Sequence, residues 1–106
     1  MLMMFDIARI LYLKLRNKLE MAKYDAFSME DYFRKLGSEV GYNNRLLINN
    51  IGDEPYLISI GSHCTIAPEV ALVTHDGGAW VFTEEVPHLQ RFGRIRILDN
   101  CFIGYR

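Results

Sequence analysis

Aliphatic residues recur every six positions through the centre of this chain, at Ile60, Ile66 and Leu72, and the spacing returns at Ile97 and Ile103 after an interruption. Gly61, Ala67, Val73 and Gly104 follow members of this series, and the fifth place of a unit holds Cys64, Val70 or Cys101. A period of six is neither helical nor simply alternating; it describes a chain that turns a corner after each very short strand. In such a geometry the aliphatic residue points inward, the fifth place faces inward near a corner, and stacked units pair their strands in parallel. Val40 followed by Gly41, with Leu46 six positions later, indicates an earlier and less regular turn of the same kind.

Residues 1–39 follow a different rule. Met4, Ala8, Leu11, Leu15, Leu19 and Ala22 recur at three- and four-residue steps, while Asp6, Lys14, Asn17 and Glu20 fall elsewhere, which predicts a helix with one buried stripe. A second short helix is expected from Ser28, with Asp31 completing an S-x-x-D capping box and Gly37 ending it. The opening "MLMMFDIARILYLKL" has neither a basic leading region nor a small-residue cleavage site, and Asp6 and Arg9 interrupt it, so neither a signal peptide nor a membrane span is expected. Its basic amphipathic character also suits a helix lying on anionic lipid, but membrane association is not the expected arrangement.

Composition narrows the class. Half of the 106 residues are apolar and about a quarter charged, which describes one ordinary globular unit. The net charge of −1 gives no field that would favour nucleic acid. Cys64 and Cys101 stand apart, without metal-ligand or disulfide spacing, so they are expected to be inert core residues, no metal site is indicated, and a reducing, cytoplasmic location is expected.

The stretch "IGSHCTIAPEVALVTHDGG" and, farther on, "RIRILDNCFIGYR" resemble the hexapeptide-repeat acyltransferases, particularly bacterial sugar and xenobiotic O-acetyltransferases, over roughly the C-terminal two thirds of the chain. The resemblance implies a mainly β fold: a left-handed parallel β-helix prism in residues 40–106, preceded by the helical segment 1–39, with an excursion loop at about 77–94. It implies a homotrimer, acetyl-CoA as acetyl donor held between neighbouring prisms, and a saccharide or similar small acceptor. It also implies that a histidine ending one coil serves as general base, and by position in the motif that residue is His75.

The chemistry suits that residue type. A sugar hydroxyl is a poor nucleophile and must lose its proton as it attacks, and imidazole ordinarily titrates near pH 6.5. The thioester is already activated, so no metal is required. Asp53 and Glu54, in "NNIGDEPYLI", are expected on the edge where such enzymes bind their acceptor, and Asp76 and Trp80 complete the candidate acceptor contacts. Asp76 is not assigned the role of orienting His75, because adjacent residues on a strand point apart. Gly77 and Gly78 let the chain leave the prism, and Trp80, Phe82, Pro87 and Phe92 are expected to anchor the loop that follows. His63 and His88 are expected at the surface. The alternative to an enzyme is a non-catalytic binding or assembly module on the same scaffold. "CFIGYR" stops four residues into a hexad, so the chain is expected to be truncated and inactive alone, with the coenzyme-binding residues unassigned.

Overall fold

A computed structural model describes residues 4–106; the first three residues of the N-terminal segment lie outside the described part. Helix α1 (Met4–Met21) leads through a turn to helix α2 (Met29–Lys35). Six short strands follow: β1 (Glu39–Val40), β2 (Arg45–Leu46), β3 (Ile58–Ile60), β4 (Thr65–Ile66), β5 (Ile95–Ile97) and β6 (Phe102–Ile103). They form two three-stranded parallel sheets, in the orders β1-β3-β5 and β2-β4-β6.

The registers explain the six-residue series. Val40, Ile60 and Ile97 stack in one sheet, and Leu46, Ile66 and Ile103 stack in the other. Ile60, Ile66, Cys64, Val70, Leu72 and Ile97 are buried in a single core with Phe33 and Ile58, while Val40, Cys101 and Ile103 pack partly buried against it. Between the sheets the chain turns at Asn43, His63 and Asn100, each with φ near +60°. The left-handed conformation suits asparagine and is tolerated by histidine, whereas it costs a β-branched residue about 1–2 kcal/mol. Gly61 is required at its place, because a Cβ there would lie 2.8 Å from the backbone nitrogen of Asp99 on the neighbouring layer.

The expected left-handed β-helix prism is not what forms. The chain has two small sheets that do not close on one another, and more of its residues lie in helices than in strands. The reason is local to residues 49–57 and 70–94. There the chain makes only two isolated bridges, a parallel one between Asn50 and Ala71 and an antiparallel one between His75 and Phe92, and it breaks away into a 3-10 turn at Pro55–Leu57 and into the long excursion after His75. Six-residue spacing therefore builds two paired faces, and Gly52, Pro55 and the excursion prevent a third sheet.

The helical segment also departs from expectation. Met4, Leu11, Leu15 and Leu19 are exposed, so the predicted buried stripe of α1 is unburied; among the described residues of the helix, Met21 at its C-terminal end packs against the core. Tyr24 follows it, packing on Tyr32 of α2 with ring centroids 5.1 Å apart. The expected capping box of α2 is not made. Ser28 donates its hydroxyl to Asp25 Oδ1, 3.0 Å away, and Asp31 pairs with Arg34 instead. Gly37, with φ +112°, ends the helix region as the sequence suggested.

Helix α2 is fixed to the sheets by a buried polar cluster. Asn44 Nδ2 donates to Glu30 Oε2 at 3.0 Å and to the Gly61 carbonyl at 2.9 Å, and its Oδ1 accepts from the Cys64 backbone at 2.8 Å. Arg34 bonds the carbonyls of Val40 and Gly41 and stacks over Tyr42. The side-chain amide of Asn44 is thus bonded at both its nitrogen and its oxygen, which is the condition for burying it without a large penalty.

Candidate functional site

The site is assembled where residues 50–54 run alongside 71–75. The Asn50–Ala71 bridge sets an offset of twenty-one residues, and the same offset carried forward brings Glu54 opposite His75. Gly52, with φ +84°, allows the close approach, since a Cβ there would lie 2.5 Å from the Leu72 carbonyl oxygen.

Glu54 Oε2 lies 3.2 Å from His75 Nδ1 and accepts a hydrogen bond from Thr74 Oγ1 at 2.7 Å. The Thr74 bond, above all, holds the Glu54 carboxyl below its ordinary range; partial burial opposes this, and the bond and charge of His75 reinforce it. A carboxylate so held is ionised at neutral pH and can only accept. Nδ1 therefore carries the hydrogen in this pair, and the other ring nitrogen, Nε2, is left as an acceptor when the imidazole is neutral. The His75 side chain is 42% exposed and that of Glu54 only 12%, so the carboxylate is packed behind a ring that solutes can reach.

The excursion leaves and returns through a narrow neck beside this pair. His75 bridges Phe92 in antiparallel fashion, the Asp76 amide donates to the Arg91 carbonyl at 2.9 Å, and the Gly93 amide donates to the Thr74 carbonyl at 2.8 Å. The Phe92 ring stands edge-on to His75, with centroids 6.3 Å apart. Asp76 accepts from the Gly78 amide at 2.8 Å and starts the 3-10 turn Gly77–Phe82, which carries Trp80.

Together these elements enclose an open cleft of about 750 Å³. Asp53, Glu54, His75, Asp76 and Trp80 all line it, so the structure brings every sequence-predicted site residue to one place. Their arrangement differs from expectation in one respect. Glu54, expected among the acceptor contacts, directs its carboxylate to His75 and Thr74, while Asp53 and Asp76 are the exposed carboxylates of the cleft. The anchors expected for the loop are not buried: Trp80, Phe82 and Phe92 are more than half exposed, and it is the backbone neck that tethers the segment.

Sequence reasoning missed Thr74, which is buried and fixes Glu54, and it left His88 and Arg91 outside the site although both line the cleft. His63 is exposed and lies away from the cleft, its Nδ1 2.8 Å from Asn100 Oδ1. Among the described residues, no group of three His, Cys, Asp or Glu side chains is arranged to hold a metal ion, and no helix is long and apolar enough to cross a membrane.

No family model and no solved structure matches this chain. A curated relative, Protein CapG of Staphylococcus aureus, is 49% identical over 78 residues. The match takes in 71% of this chain and 45% of the relative, so the chain spans less than half the length of the protein it resembles.

Proposed function

We propose that this chain carries the acceptor side of an acetyl-CoA-dependent O-acetyltransferase, with His75 as general base and a saccharide or similar small hydroxyl compound as acceptor. The observation that carries the reading is the His75–Glu54 pair on an accessible cleft. A partly buried carboxylate that fixes the Nδ1 hydrogen leaves Nε2 free to take a proton, which is the arrangement general-base catalysis needs.

In the proposed step His75 Nε2 removes the proton of the acceptor hydroxyl as its oxygen attacks the thioester carbonyl carbon. The tetrahedral intermediate collapses with cleavage of the carbon–sulfur bond, and the coenzyme A thiolate takes the proton back from the imidazolium. Products are the acetyl ester and free coenzyme A, and the imidazole returns to its starting state. Glu54 stabilises the transient imidazolium by charge and holds the ring in place. Asp53 and Asp76 offer hydrogen-bond acceptors to the other hydroxyls of a polyol, and Trp80 offers a flat apolar surface of the kind on which a sugar ring packs.

The test is release of coenzyme A thiol from acetyl-CoA, with a panel of monosaccharides and amino sugars as acceptors. It is made on the longest form of the protein that contains this sequence. Acceptor-dependent release with a matching acetyl ester supports the proposal. Release unaffected by every acceptor, or acetylation of amines alone, refutes it.

A further inference from the structure

Helix α1 presents an apolar face that the rest of the chain leaves uncovered. Met4, Ile7, Leu11, Leu15 and Leu19 follow one another at three- and four-residue steps and are all exposed, Leu11 and Leu19 by about 60%. Tyr12, also exposed, widens the stripe. At 1.5 Å per residue the 18-residue helix is about 27 Å long, so the face is far larger than a scattered surface leucine. Strands β5 and β6 form the open edges of the sheets at the end opposite β1 and β2, against which α2 packs.

Charge identifies what would cover this face. Lys14 and Lys18 precede Leu15 and Leu19 by one position and line one border of the stripe, and Arg16 lies toward the other, while Arg9 falls on the opposite side of the helix. Asp6 and Glu20 fall on the opposite side of the helix, where Glu20 pairs with Lys23 at 3.1 Å. Residues 4–23 hold five basic and two acidic side chains in a chain whose net charge is −1, so the segment is locally basic, with Lys14, Lys18 and Arg16 beside the apolar stripe. A second copy of the helix would bring basic borders against basic borders. A surface that is apolar beneath and negative at its rim satisfies both features at once.

We propose that α1 lies in the plane of an anionic lipid surface, inserting Met4, Leu11, Leu15 and Leu19 below the headgroups with Lys14 and Lys18 among the phosphates. The helix is not long and apolar enough to span a bilayer, and a low-hydrophobicity, basic amphipathic helix is the form that rests on an interface. The inference is independent of the proposed acetyl transfer.

The experiment is co-sedimentation of the whole 106-residue chain with vesicles of phosphatidylcholine alone, or of phosphatidylcholine and phosphatidylglycerol at a 3:1 ratio. The expected result is binding to the anionic vesicles, little to the neutral ones, and release by high salt. Each basic residue near such a surface contributes about a fivefold gain in partitioning, so the Lys14→Gln, Lys18→Gln double variant should bind about 25-fold more weakly. Both side chains are exposed, and unchanged far-UV circular dichroism verifies that the variant is folded. Leu11→Ser with Leu15→Ser should also abolish binding while leaving the mass by light scattering unchanged. Absence of binding to anionic vesicles, or equal binding to neutral ones, overturns the proposal. So does a Leu11→Ser, Leu15→Ser variant that turns an oligomer into a monomer, which would identify a second copy as the occupant.

Discussion

Glu54 and His75 are separated by twenty-one positions along the chain and meet with Oε2 3.2 Å from Nδ1. The contact exists because two neighbouring segments run side by side in fixed register, so it belongs to the fold and not to a flexible loop. Thr74 donates to the same carboxylate oxygen, and the three groups form one continuous chain of hydrogen bonds.

Glu54→Gln keeps the size of the side chain but replaces the carboxylate with an amide, which can turn its NH2 toward Nδ1. The imidazole then favours the tautomer with hydrogen on Nε2 and loses its base. Acetyl transfer should fall by about a hundredfold in kcat with KM little changed. Steady-state kinetics on the variant and on Glu54→Asp checks this, and an unaltered kcat in Glu54→Gln would remove the carboxylate from the mechanism.

The depressed pKa of Glu54 has a signature in stability. Its carboxyl titrates below the ordinary value of 4.5, so its contribution is fully present above that value and is lost as the pH falls through the folded-state pKa. The urea midpoint of the wild type should exceed that of Glu54→Gln at neutral pH, and the gap should close in acid. Because Thr74 is the leading cause of the shift, Thr74→Val should move the Glu54 titration, followed by carboxyl NMR, back toward 4.5. A gap that persists unchanged into acid would contradict the assignment.

Much of this site was legible in the sequence, and the part that was not has a definite cause. The pairs Val40 and Ile60, and Leu46 and Ile66, are each twenty residues apart; carried forward, that offset sets Glu54 opposite Thr74 and next to His75. The acidic residue was therefore legible as a neighbour of the histidine, but its direction was not, because one extra residue between Ile66 and Ala71 changes the offset to twenty-one at the Asn50–Ala71 bridge. The period also foretold which residues are buried, Ile60, Ile66 and Leu72 among them. It did not foretell two open sheets, since closure depends on the segments at Gly52, Pro55 and beyond His75, where the period is broken. For α1, periodicity reports an amphipathic helix but not what lies against it, and the expected burial of Leu11, Leu15 and Leu19 failed on that account.

Asn44→Ala should destabilise the chain by about 3 kcal/mol or more. It leaves the Gly61 carbonyl, the Cys64 amide and the buried Glu30 carboxylate each short of a partner. Urea denaturation measures the loss, and a cost below about 0.5 kcal/mol would show that water replaces these bonds.

At the corner occupied by His63, φ is +60°. His63→Val places a β-branched residue in the left-handed region and should cost about 1–2 kcal/mol, whereas His63→Asn, matching Asn43 and Asn100, should be within about 0.5 kcal/mol of wild type. Equal stability of the two variants, by thermal or urea unfolding, would mean that the corner relaxes out of this conformation.

The measurement that bears most directly on the role of His75 is the rate of coenzyme A release by His75→Ala, compared with wild type at saturating acetyl-CoA and acceptor. With the ring gone, the acceptor hydroxyl loses the imidazole that takes its proton, and the rate should fall by about a hundredfold or more while the circular dichroism and unfolding midpoint stay close to wild type. Acceptor-dependent release at the wild-type rate in a folded His75→Ala variant would contradict the account.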